Sequence, residues 1–163
     1  SMKVHELFEE ERSVLSVMGK QLEYYDATFI CDSKELTSLE GCPSKIGKDF
    51  YCDNNNLTSL EGAPSYVGED FYAHKNTIKS LHNIHKQIKH IGGILSLEEN
   101  PIRSHVLGVL LIDGLQNIYM HHRYDNRINN VAKILRKHLQ GDRDVFACQE
   151  ELIENGFDEY AQL

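Results

Sequence analysis

The chain has 163 residues, with 17 Lys/Arg against 25 Asp/Glu, a net charge of −8, 40% apolar and 26% charged residues. That length suits one compact domain or a short repeat array with caps. The acidic balance argues against general nucleic-acid binding, which needs basic surface to neutralise phosphates, and against adhesion to acidic membranes.

Ser1-Met2 reads as a cleavage scar before a native start. Val4, Leu7, Phe8, Leu15 and Met18 then follow at roughly helical spacing, which predicts an N-terminal helical cap over residues 2–24. The segment is acidic and carries no secretory signal. The longest apolar run, Val106 to Ile112, falls far short of the roughly 20 residues a membrane helix needs. Cys31, Cys42, Cys52 and Cys148 show no CxxC spacing, so zinc has no support and a reducing, cytoplasmic setting is expected.

Residues 25–103 repeat themselves. The pattern apolar-x-apolar-x-x-Asn-x-apolar occurs at Phe50, Cys52, Asn55, Leu57, at Phe71, Ala73, Asn76, Ile78, and at Leu95, Leu97, Asn100, Ile102. A weaker copy, Phe29, Cys31, Lys34, Leu36, has lysine in place of asparagine. Tyr25, Ile46, Val67 and Ile91 each stand four residues ahead of a copy. A self-similar period of this length marks a solenoid, and LxxLxLxxNxL is the leucine-rich-repeat pattern. The expected fold is α/β: about four repeats of 21–24 residues, each laying one short strand on a parallel β ladder. The asparagines are expected to bond backbone groups inside the turn rather than to contact a ligand. Gly47, Gly68 and Gly92 fit a tight turn, and Pro43 and Pro64 keep the return segments extended. The longer third copy has room for a helical turn around "HNIHKQIKH".

Residues 104–163 are predicted to form a helical module that covers the end of the ladder. Ser104 is a plausible N-cap for a helix carrying Leu107, Leu110, Leu111, Leu115 and Ile118 on one face. A second helix carries Ile128, Val131, Ala132, Leu135 and Leu139 and stops at Gly141. A third starts after Asp144, carries Val145, Cys148 and Leu152, and stops at Gly156; Phe157, Tyr160 and Leu163 are expected to dock.

The wording "IGKDFYCDNNNLTSLEGAP", echoed by "VGEDFYAHKNTIKSL", resembles short leucine-rich-repeat proteins of large tailed bacteriophages over about residues 25–102. The resemblance implies an intracellular phage protein that binds something in the infected cell, and it transfers no catalytic residues. The repeats also resemble those of secreted bacterial effectors with a ubiquitin-ligase domain. Cys148, in "ACQEE", lacks the Cys-x-Asp that activity would require, so that resemblance stops at the repeats.

No phosphate loop, nucleophile elbow or HExxH is present. Cys31 and Cys52 share one inward register position, within disulfide reach across adjacent strands, but two buried thiols are the expected state in a reducing cell. His82, His85, His90, His121 and His122 form no convergent ligand set in sequence, so no metal or cofactor is expected. The outward strand positions are the informative ones: Ile30, Tyr51, Tyr72 and Ser96 in one row, Asp32, Asp53, His74 and Glu98 in the next. Tyr51 and Tyr72 flanked by acids suit protein recognition. A second surface, Arg123 to Arg143, is locally basic, and Arg123, Arg127 and Lys133 could hold an anion; charge-balanced packing between helices is its plainer explanation. The expected function is non-enzymatic binding of a bacterial host protein, counteracting host defence in its most specific form. The alternatives are nucleotide sequestration between solenoid and helices, and a homo-oligomeric structural protein.

Overall fold

The computed structural model describes residues 2–4 and 23–163. Most of the cap predicted over 2–24 therefore lies outside the described residues. Met2–Lys3 form a strand, β1, which pairs parallel with β4 (Leu36–Ser38), and Val4 is fully buried.

The repeats wind into a parallel-β solenoid with two ladders. The front ladder stacks β3 (Phe29–Ile30), β6 (Phe50–Tyr51), β8 (Phe71–Tyr72), β10 (Ile94–Ser96) and β11 (Asn117–Tyr119) in chain order. The side ladder stacks β2 (Tyr24–Tyr25), β5 (Lys45–Ile46), β7 (Tyr66–Val67) and β9 (His90–Ile91). The front register is Phe29↔Phe50↔Phe71↔Leu95↔Ile118. Each partner is the same letter of the repeat, so apolar side chains fall into continuous inward columns. Phe29 and Phe50 stack at 5.9 Å between ring centroids, and Phe50 meets Phe71 edge-on at 4.9 Å. Behind them run Cys31, Cys52, Ala73, Leu97 and Met120, all fully buried.

The asparagines form the internal ladder expected of them. Asn76 donates from Nδ2 to the carbonyls of Cys52 and Ala73, both at 3.1 Å, and its Oδ1 accepts from the Leu57 amide at 3.0 Å. Asn55 and Asn100 repeat the arrangement one turn before and after. Ahead of each stands a residue with positive φ: Asn54, Lys75 and Glu99, with Ser33 in the first turn. The glycine expectation changes in its cause. Gly47, Gly68 and Gly92 have ordinary φ, and the residue is required by close approach of neighbouring turns: a Cβ on Gly68 would lie 2.1 Å from the Gly47 carbonyl oxygen.

Two further expectations are corrected. Residues 104–118 do not form one helix. Leu107–Leu111 make a single 3₁₀ turn with no side-chain cap, and Ser104 instead bridges to Ser80. β11 then pairs with β10, so the solenoid has five turns rather than four and the ladder runs past residue 103 to Tyr119. Leu107, Leu110, Leu115 and Ile118 are buried as predicted, but on a 3₁₀ turn, the connection after it and a strand, while Leu111 is exposed. Leu163 is likewise 41% exposed, although Phe157 and Tyr160 dock.

The remaining helices match. The helical turn in the third repeat is α1 (Ile84–Gln87). α2 (Asn126–Gln140) starts at Asp125, whose side chain accepts from the Arg127 amide, and it buries Ile128, Val131, Ala132, Leu135 and Leu139. α3 (Val145–Glu154) starts at Asp144 and buries Cys148 and Leu152. α2 packs on β11 and the 3₁₀ turn, covering the end of the front ladder. Arg143 joins this cap to the fifth turn by donating to the carbonyls of Leu139 and Leu115. Among the described residues no helix is long and apolar enough to cross a membrane.

Candidate functional site

Because strand side chains alternate, burying Phe50 and Cys52 sends Tyr51 and Asp53 outward, and burying Phe71 and Ala73 does the same for Tyr72 and His74. Tyr51 and Tyr72 are Cα partners, and their rings stack at 4.5 Å with planes 19° apart. The Tyr72 hydroxyl donates to Asp70 Oδ2 at 3.1 Å. Burial, and then that carboxylate, raise the hydroxyl's pKa, so it stays a donor. Asp70 is held by the Ile94 amide, and Asp49 by the Asp70 amide. The stacked tyrosines thus sit between a row of aspartates on one side and Asp53 with His74 on the other. Exposed Ile30 and Tyr119 close the row at either end.

Ser96, expected to be displayed, is only 4% exposed. Its Cα partners on the flanking strands are Tyr72 and Tyr119, far larger side chains that rise on either side of it. It joins three predicted face residues in a chain that crosses the ladder diagonally. Asp53 Oδ2 lies 3.3 Å from His74 Nε2. His74 Nδ1 lies 3.1 Å from Ser96 Oγ, and Ser96 Oγ lies 2.6 Å from Glu98 Oε2. Carboxylates only accept, so the Ser96 hydroxyl donates to Glu98 and the imidazole donates to Asp53 from Nε2. The chain sets two carboxylates against a single imidazole. Asp32 stands at the head of the same row, accepting from the Ser33 hydroxyl.

Serine, histidine and aspartate in series are the residue types of a nucleophilic triad. Here the serine hydroxyl donates to Glu98, and the residue as a whole is buried.

Burial pushes the Asp53 carboxyl above its ordinary value, against the opposing pull of His74. Its side chain is 16% exposed and Oδ1 is buried with no hydrogen-bond partner. A carboxyl whose pKa is raised by folding contributes stability at low pH and loses it as pH rises through the folded value. Wild type is accordingly expected to lose stability relative to Asp53→Asn as pH rises above about 4, read as melting temperature against pH for both proteins. A wild type that gains on the variant over that range would show that the His74 ion pair outweighs burial.

The basic residues proposed for an anion do not converge. Arg123 occupies the position that asparagine fills in earlier turns; its backbone amide and Nε both reach Glu99, at 3.3 Å. Arg127 donates to the Gly156 carbonyl and lies over the Phe157 ring. Lys133 is exposed on α2. Farther along, Lys137 and His138 both bind Glu151, the helix-to-helix charge pairing that was the plainer explanation. A groove of about 550 Å³ lies along Thr58–Glu61 and Lys79–Gln87, and none of the three basic residues lines it. Among the described residues no group of three or more His, Cys, Asp or Glu is placed to hold a metal ion. All four cysteines are free thiols, and burial pushes Cys31 up to about 12.

Sequence reasoning missed one row. On the side ladder Tyr24, Lys45, Tyr66 and His90 are in register, Tyr66 stacks on His90 at 4.5 Å, and His90 reaches Asp113 at 2.8 Å. The signal was present: each of the first three directly precedes an inward residue, 21 positions apart.

No protein-family model, curated protein or solved structure matches the chain.

Proposed function

We propose that this solenoid is a leucine-rich-repeat binding module that engages another protein through its front strand face, without chemistry of its own. The observation that carries the reading is the Tyr51–Tyr72 stack: two half-exposed aromatic rings, already ordered against each other, in the middle of a face bordered by carboxylates. Rigid aromatic anchors inside a polar rim are the usual composition of an interaction hot spot. Ordering before contact lowers the entropy lost on binding. The wording of the repeats supports a setting in which a phage protein acts on a bacterial host protein in the host cytoplasm, a defence factor in its most specific form. The nucleotide reading is weaker, because Arg123 and Arg127 would have to leave the partners described above.

The test is capture of a partner from host lysate by wild type and by Tyr51→Ala/Tyr72→Ala. The double variant is expected to stay folded by circular dichroism and to lose the specific partner. Equal capture by both proteins would remove the strand face from the reading.

A further inference from the structure

We infer that the front face takes an extended protein segment bearing arginine side chains. The inference rests on the protein-binding reading above and adds the chemistry of the partner.

The charge of the face can be counted from its contacts. Glu99 is matched by Arg123. The Asp53–His74–Ser96–Glu98 chain sets two carboxylates against a single imidazole, an excess of acid. Among the described residues Asp49 and Asp70 accept from backbone amides and a tyrosine hydroxyl, and Asp32 from a serine hydroxyl, so no cationic side chain is paired with any of the three. The surplus is negative along both sides of the tyrosine stack. Lys75, in the turn after β8, acts on Asp53 and offsets part of that surplus. The protein's overall charge of −8 has the same sign and would steer a cationic partner inward.

Arginine fits this surface better than lysine. A guanidinium is planar, stacks on aromatic rings and donates in a fork to carboxylates. The face offers both together: a ring pair 4.5 Å apart with a carboxylate row on either side. Five strands at about 4.8 Å spacing span about 19 Å, the length of about six residues of extended chain. Alternate side chains of such a segment would point down at the face about 6.7 Å apart, so a segment with arginine at every second position places about three arginines across the five rungs.

The probe is an eight-residue alternating Arg-Ser peptide, titrated by calorimetry and by amide chemical shifts, with the Glu-Ser peptide as counterpart. Saturable binding is expected, with shifts centred on Tyr51 and Tyr72 and weakening as salt rises. Asp32→Asn/Glu98→Gln should weaken it about tenfold. Glu154→Gln/Asp158→Asn, which removes the same charge from exposed positions near the end of the chain, should leave it unchanged. Absence of saturable binding, equal loss in both double variants, or equal binding of the Glu-Ser peptide would overturn the inference. If Asp32→Asn/Glu98→Gln still captures the partner at full strength while Tyr51→Ala/Tyr72→Ala does not, protein binding by this face stands and the arginine assignment falls.

Discussion

Gly68→Ala is expected to destabilise the protein by about 3–5 kcal/mol, the range of severe overpacking. The added Cβ would sit 2.1 Å from the Gly47 carbonyl oxygen and 2.9 Å from its carbon. Both are backbone atoms, and neither turn can yield alone, because the Gly68 amide donates to Ile46 and the Gly92 amide to Val67. Relief means separating two rungs and stretching the ladder that joins them. Two other glycines grade the effect. At Gly47 the nearest obstacle is the Asp26 side chain, at 2.8 Å, which can swing aside more easily than a rung, so a smaller loss is expected. At Gly156, with φ +79° and nothing within 4 Å, only backbone strain opposes alanine, a cost of about 1 kcal/mol. Urea denaturation of the three variants should rank them Gly68, Gly47, Gly156. A Gly68→Ala protein within 1 kcal/mol of wild type would show that the turns can part.

Asn76→Ala should cost about 2–4 kcal/mol, because a buried amide left unpaired costs about 1–3 kcal/mol and two further hydrogen bonds are lost with it. The substitution leaves the Cys52 carbonyl, the Ala73 carbonyl and the Leu57 amide without the side chain that serves them. The Cys52 carbonyl also accepts from Asn55 and the Ala73 carbonyl from Asn100, so only the Leu57 amide is left unpaired. Asn56→Ala is the matched control: Asn56 is exposed, and its hydrogen bond to Leu36 is made by the backbone, which alanine retains. A loss within about 0.5 kcal/mol is expected there. Equal melting temperatures for the two variants would mean that water reaches the turn and replaces the Asn76 amide.

The sequence made the inward columns legible because the copies repeat nearly word for word; Phe50 and Phe71 could hardly occupy different environments. The α2 face was legible for a related reason, since five apolar residues at helical spacing admit one burial stripe. The fifth turn was hidden by two things. Arg123 replaces the asparagine that marks the others, and Leu107, Leu110, Leu111, Leu115 and Ile118 satisfy a helical period by accident of a 3₁₀ turn followed by a strand. The pair Ile118-x-Met120, 23 residues after Leu95-x-Leu97, was the available sign. In the site, register alone located Tyr51 against Tyr72. The link from Asp53 through His74 and Ser96 to Glu98 runs diagonally over three strands and depends on side-chain size, which periodicity does not encode.

The asparagine ladder also has a direction. Asn55 reaches back to the Cys31 carbonyl and the Leu36 amide, Asn76 to Cys52 and Leu57, Asn100 to Ala73 and Ile78. Each of the first three rungs is finished by a side chain that lies one repeat downstream. On a ribosome, where the chain emerges from its N-terminal end, a turn would stay open until the following turn had been made, and closure would travel one repeat behind synthesis. The last rung has no successor to close it. Its own residue at that position is Arg123, tied to Glu99, and completion of the fold passes to α2, the segment made next.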